Sequence, residues 1–285
     1  MSADSDKVLI PSLAMLGSQV SVNLGAAVAK HLFPAVGVEG MTAYRVGFAA
    51  VLLLALFRPW RRAVSRPEAL TLLLYGSVLG LMNLLIYRAF DRIPIGVAVA
   101  IEVTGPLVVA LVSSRRRLDF AACALAVFGL YLLLPLGGQA GHLDPVGVAY
   151  AFGAATCWGL YIVAGKRASA LGGGNAVAWG MLVAATLTVP IGVVHAGAAL
   201  LAPSLMLTGL AIAVLSSAVP YPLEIFALRR LPHNIYGMFS STSPAVSALA
   251  GLAVLGERLS GVQWFAIACV VGASALCALG RQRSA

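Results

Sequence analysis

The sequence predicts an all-α integral membrane protein: ten transmembrane helices built as two inverted five-helix repeats, with both termini cytoplasmic. Three observations carry that prediction. The 285 residues are 60% hydrophobic and only 10% charged, with a mean hydropathy of +0.95. A soluble domain carries about 25% charged residues, so the solvent for this much apolar surface must be lipid. The basic residues alternate from loop to loop between crowded and sparse. Finally, the stretch that begins at Arg92 recurs in outline at Arg230.

A spanning helix needs about 20 mostly apolar residues. Runs of that kind, broken by charges, Gly and Pro, lie at 9–29, 39–57, 68–87, 94–113, 118–136, 145–165, 175–194, 204–228, 233–254 and 260–279. The N-terminal MSADSDKVLI has no basic run, and no small-residue cleavage site follows a short apolar core. The first segment is therefore expected to stay in the protein. Short connections make neighbouring segments antiparallel. In the third, Gly76 and Gly80 form a Gly-x-x-x-Gly step that permits close helix approach.

With the N-terminus inside, basic residues crowd the cytoplasmic side: Lys7, the run from Arg58 to Arg66, Arg115 to Arg117, Lys166 and Arg167, Arg229 and Arg230, then Arg281 and Arg283. The opposite side holds Lys30, Arg88, Arg92 and Arg258, and Arg45 falls inside a segment. The net charge of +9 thus reads as membrane anchors rather than a nucleic-acid groove. Cys123, Cys157, Cys269 and Cys277 lie in apolar runs without a Cys-x-x-Cys pair, and His31, His142, His195 and His233 lack metal-ligand spacing. No disulfide framework, metal or cofactor is expected. An intramembrane enzyme is disfavoured, because the spans hold no His-Glu-x-x-His, aspartate pair or Ser/Lys dyad. Nor does a ring of charges or a filter sequence point to a channel.

RIPIGVAVAIEVTGPLVVAL, from Arg92, and RLPHNIYGMFSSTSPAVSAL, from Arg230, share an opening Arg-x-Pro, a second proline twelve residues on, and a closing Ala-Leu. Pro94 matches Pro232, Pro106 matches Pro244, Thr104 matches Thr242, and Glu102 falls on Ser240, each at an offset of 138. The repeats are placed at 1–137 and 138–285. Five segments per repeat force the second to enter the membrane in the opposite sense. Inverted repeats with helices broken at matching places mark secondary transporters, with the site near the midplane and access alternating between the two sides. Pro106 has no N–H for the carbonyl of Glu102, and Pro244 none for that of Ser240. Both freed acceptors are expected to face a polar cavity, with the Ser240–Ser243 run as the hydroxyl-lined counterpart of Glu102.

Glu102 lies about 12 Å below the outer surface, eight residues past Pro94. Ionisable groups at that depth are functional by default, a packed protonated acid being the competing reading. Arg45 sits at a similar depth, where it pairs with Glu102, flanks the same ligand, or snorkels to the surface. Glu224, near the inner end of the eighth segment, either neutralises Arg229 and Arg230 or lines the pathway. Pro220 and Pro222 around Tyr221 predict a break just above it. Gln19, Asn23, Tyr44, Asn83, Tyr87, Trp158 and Tyr161 complete the candidate walls, against the alternative of interfacial or packing roles.

The stretches AKHLFPAVG, LFRPWR, PIGVAVAIEVTGPLVVALVSSRRRLDF, LLLPLG, CWGLYIVAGKRA, LSSAVPYPLE and LGERLS resemble, in order and over nearly the whole chain, the threonine/homoserine exporter branch of the drug/metabolite transporter superfamily. That resemblance implies two EamA-type halves, a bacterial cytoplasmic membrane and efflux of small amino acids. It also implies that Glu102, Arg45 and Glu224 fall where such exporters carry the same residues. The expected function is therefore secondary export of threonine, homoserine or similar amino acids, coupled to protons. The alternative is a related exporter of other metabolites, such as aromatic amino acids or drugs. A zwitterion needs partners of both signs: Glu102 for the ammonium, and Arg45 or a broken-helix N-terminus for the carboxylate.

Overall fold

Lipid offers no hydrogen bonds, so a chain this apolar must satisfy its backbone within helices. The computed structural model describes residues 2–112, 117–133, 143–168, 172–228, 230–231 and 239–280, and no strand occurs among them. The helices are α1 (Ser2–His31), α2 (Phe33–Phe57), α3 (Arg66–Arg92), α4 (Ile95–Glu102), α5 (Thr104–Val112), α6 (Arg117–Leu133), α7 (Pro145–Ala168), α8 (Gly173–Ala196), α9 (Pro203–Ala213), α10 (Pro220–Leu228), α11 (Ser243–Ala250) and α12 (Gly261–Gly280). Five apolar helical segments are long enough to cross a membrane: Leu9–His31, Phe33–Phe57, Arg66–Arg92, Pro145–Ala168 and Gly173–Leu201. Shorter ones run over Ile95–Val109, Phe120–Leu133, Pro203–Ala218, Phe239–Leu255 and Gly261–Leu276. Together they occupy the positions of the ten expected segments.

Local chemistry sets the helix ends. α2 begins six residues before its expected start because a short helical stretch from Phe33 precedes Gly37, whose non-helical φ 73°, ψ 169° sets it off from the rest of α2 by a kink. Arg58 closes α2 in the left-handed region and Pro59 prevents its continuation. At the start of α3 the Ser65 N–H donates to Glu68 Oε2 at 2.7 Å, the carboxylate half of a capping box. Ile93 is extended, as a residue before proline prefers, so α3 stops at Arg92 and α4 starts anew after Pro94.

The fourth and ninth segments are both broken. α4 gives way to α5 at Val103, three residues before Pro106. In the ninth, a turn at Thr242 precedes α11, two residues before Pro244. Thr104 Oγ1 donates to the Ile101 carbonyl at 2.6 Å, and Thr242 Oγ1 to the Phe239 carbonyl at 2.7 Å. Each donor and each acceptor is thus related to its counterpart by the offset of 138 read from the sequence. π-helical turns interrupt the eighth segment at Val214–Ala218 and the ninth at Gly251–Leu255.

Packing follows a regular scheme. α2 lies on α8, α6 on α12 and α4 on α11, while α3 lies on α7 and α1 on α10. In segment numbers these pairs are two with seven, five with ten, four with nine, three with six and one with eight. Exchanging each segment with the one five places along maps the set onto itself. As Gly76 and Gly80 require, α3 rides close on α8: a Cβ at Gly76 would lie 2.6 Å from the Gly180 carbonyl, and one at Gly80 3.1 Å from the Ala184 Cα. Every residue of α4 is buried, placing this eight-residue half-helix at the core of the molecule.

Candidate functional site

Glu102 is the last residue of α4, and burial leaves it 8% exposed. Its carboxylate makes no hydrogen bond or ion pair among the described residues. Arg45, mid-length in α2, and Cys157 of α7 are the groups within its electrostatic reach. The Arg45 guanidinium does not rise to the surface. It lies over the ring of Tyr87, 5.1 Å from the centroid, and its buried Nε has no hydrogen-bond partner. Tyr87 is fully buried, wedged between Phe33 and Phe90, and its hydroxyl is also unpartnered.

Such groups are expensive to bury unused. A buried donor without a partner costs about 1–3 kcal/mol, more if charged. Here a cation, an anion and a phenol share one region without a direct salt bridge between the charges. The arrangement leaves guanidinium donors, a hydroxyl and a carboxylate available to a small ligand carrying both charges.

A second cluster lies on the other side of Arg45, towards the Arg58 end of the bundle. Tyr75 of α3 donates to the Tyr161 hydroxyl of α7 at 2.8 Å, and their rings stack at 4.8 Å. Tyr221 and Glu224 of α10 join them: Glu224 acts electrostatically on all three phenols, and Arg45 on Tyr221. Glu224 forms no ion pair with Arg230, whose guanidinium lies 4.0 Å from the Phe226 ring centroid. Arg229 falls outside the described residues.

The remaining candidates divide. Asn23 joins α1 to α11, its Nδ2 donating to Ser243 Oγ at 3.3 Å and to the Gln19 carbonyl at 2.8 Å. Gln19 is buried in the same seam. Asn83 donates to its own helix at the Leu79 carbonyl, and Trp158 packs on the apolar core. Tyr44 spends its hydroxyl on the Leu200 carbonyl. Ser240 lies half-buried in the short helical turn before Thr242. Pro220 opens α10, where the π register would pair the Leu215 carbonyl with the N–H that proline lacks; Ser21 Oγ donates to that carbonyl instead, at 2.6 Å. Pro222 lies inside α10.

At the opposite, Lys30 end, basic residues that the sequence placed on the outer side find acidic partners it did not show. Lys30 Nζ meets Glu257 Oε1 at 2.7 Å and the Ile93 carbonyl at 3.2 Å. Glu257 Oε2 accepts the Ile95 N–H at 3.0 Å, at the N-terminus of the half-helix that ends in Glu102. Arg88–Glu39 and Arg92–Asp144 pairs stand beside it, at 2.9 and 2.7 Å. In the loop, the Arg92 guanidinium and the Val146 N–H hold the Asp144 carboxyl below the usual aspartate range. No group of three or more metal-ligating side chains occurs among the described residues.

An apolar helical bundle with half-helices meeting at a buried carboxylate and guanidinium is the architecture of a secondary membrane transporter. A solved crystal structure of a protein has the same fold, with TM-score 0.65 at 19% identity over 99% of both chains. Residues 145–279 match the model of the EamA-like transporter family. The threonine/homoserine exporter RhtA of Salmonella typhimurium strain LT2 is 48% identical, the match covering 94% of this chain and 90% of that one. RhtA of Escherichia coli K12 is 46% identical over the same shares. The E. coli K12 inner membrane transporter YedA, itself uncharacterized, is 27% identical, covering 86% and 85%. The chain belongs to the EamA-like transporters, in the threonine/homoserine exporter branch of the drug/metabolite transporter superfamily.

Proposed function

We propose that this protein exports threonine, homoserine or similar small amino acids across the bacterial cytoplasmic membrane, exchanging them for protons. The observation that carries this reading is that Arg45 Nε and the Tyr87 hydroxyl are buried without a hydrogen-bond partner, in the region of the buried Glu102. Arg45 takes the substrate carboxylate, the Tyr87 hydroxyl bonds the same group or the side-chain hydroxyl, and Glu102 takes the ammonium. Protonation of Glu102 removes its charge and releases the amino group, so one carboxylate serves substrate and proton in turn. The kinship with RhtA supports the choice of substrate class.

All ten apolar segments then cross the membrane, both termini are cytoplasmic, and the halves 1–137 and 138–285 are inverted repeats. The self-mapping helix pairs and the matched Thr104 and Thr242 bonds support the repeat. On this topology the Lys30 end faces outward and is closed by Lys30–Glu257. Substrate in that state reaches Glu102 from the cytoplasm. With Lys30→Cys and Glu257→Cys joined by a bifunctional maleimide, export is expected to stop, and the unlinked double variant to keep it. Undiminished export in the linked protein excludes opening at this end.

Counterflow in proteoliposomes with a panel of labelled amino acids tests the function directly. Threonine and homoserine are expected to exchange, and an imposed proton gradient to drive net threonine movement. Exchange of aromatic amino acids or drugs in their place assigns the protein to the alternative substrate class. Threonine movement indifferent to the gradient removes the proton from the scheme.

A further inference from the structure

Glu224 and three tyrosines have no part in the scheme above, yet they form an assembled cluster. Tyr75, Tyr161 and Tyr221 come from three different helices, α3, α7 and α10. The first two are locked by a 2.8 Å hydrogen bond and a 4.8 Å ring stack. Tyr221 and Glu224 are three residues apart in α10, so they share a face. The Glu224 carboxylate makes no hydrogen bond or ion pair among the described residues, and the groups it acts on are these phenols. The cation a turn and a half along the chain does not take it, since Arg230 lies on Phe226. Aromatic faces and phenol oxygens beside one carboxylate are the elements of a cage for an organic cation.

We propose that Tyr75, Tyr161, Tyr221 and Glu224 form a second subsite for a primary ammonium group, between Arg45 and the Arg58 end of the bundle, which the amino group occupies before it reaches Glu102. The inference rests on the exporter reading above. It divides the path into two ammonium stations on either side of one guanidinium. At the first, the aromatic faces select a cation during entry. At the second, Arg45 and Glu102 engage both charges of the zwitterion. Entry is thereby selective for amines even when the central carboxylate is protonated.

The probe is L-threoninol, which keeps the amino and hydroxyl groups of threonine but lacks its carboxylate and so makes no use of Arg45. Its binding is measured by titration calorimetry on the purified full-length protein in lipid nanodiscs. Glu102→Gln, which removes the central station, is expected to weaken binding yet leave a measurable affinity, that of the second subsite. Adding Glu224→Gln is expected to weaken binding at least about tenfold. Tyr161→Phe, which keeps the ring, is expected to stay within about threefold, and Tyr161→Leu to lose about tenfold. Threoninol binding that vanishes with Glu102→Gln alone, that ignores Glu224→Gln, or that is absent from wild type overturns the second subsite. Failure of the exporter reading has a different signature, no threonine counterflow by the wild-type protein, and is scored in proteoliposomes rather than by binding. Gel filtration of each variant separates lost binding from lost fold; should Tyr161→Leu not fold, the Glu224→Gln comparison decides.

Discussion

Glu102→Gln is expected to lower threonine export about thirtyfold or more and to abolish its dependence on the proton gradient, with the protein still folded. Glutamine keeps the volume of the side chain and adds an amide where the protonated acid has a hydroxyl. It cannot carry the charge that pairs with an ammonium group. Removing one partner of a desolvated charge pair costs about 2–5 kcal/mol, and about 1.4 kcal/mol is a factor of ten. The low end of that range gives the thirtyfold figure. Folding is expected to survive because Glu102 makes no hydrogen bond or salt bridge among the described residues, while α4 is held by its apolar burial. Glu102→Asp retains the charge on a shorter arm and is expected to fall between the two. Export at the wild-type rate by Glu102→Gln, with the gradient dependence intact, makes Glu102 a packing residue.

Much of this site was legible in the sequence because it depends on distance along the chain. Depth below the membrane surface follows from residue number, so Glu102 and Arg45 fall at one level from counting alone. The broken helices were legible from proline, whose missing N–H is a local fact. The breaks lie at Val103 and Thr242, three and two residues before the prolines, because the bond each proline loses is to the carbonyl four residues back, at Glu102 and Ser240. The partner of Arg45 was not legible: its ring contact is to Tyr87, which joins it only when α2 and α3 pack. Tyr75 was passed over for the same reason, as one tyrosine in an apolar run until α7 brings Tyr161 against it. Lys30 counted only as a basic residue of the outer side and Glu257, 227 residues away, carried no signal; their bond is a tertiary fact. The π-helical turns have no signature in composition, and that of the eighth segment shows its logic only once Ser21 is seen bonded to Leu215.

Gly105→Ala is expected to be the most damaging single methyl group in the molecule, lowering the melting temperature in detergent by about 5 °C. Gly105 lies one residue before Pro106, in the first turn of α5, where that helix crosses α7. A Cβ there would collide with the Ala155 carbonyl oxygen and lie 2.8 Å from its carbon. From the other side, a Cβ at Gly159 would lie 3.4 Å from the Gly105 carbonyl, so backbone meets backbone along this seam. A flexible side chain would swing aside; a helix backbone moves only by shifting α7, and with it Cys157 and Tyr161 on either side of the site. Overpacking of this kind costs about 1–3 kcal/mol, and the rigid obstacle argues for the upper end. Gly272→Ala in α12 is the control, since a Cβ there meets only Leu125 Cδ2 at an ordinary 3.5 Å. Alanine is the better helix former by about 1 kcal/mol, so this variant is expected to melt at or above the wild-type temperature. Equal melting temperatures for the two variants would refute the backbone contact between α5 and α7.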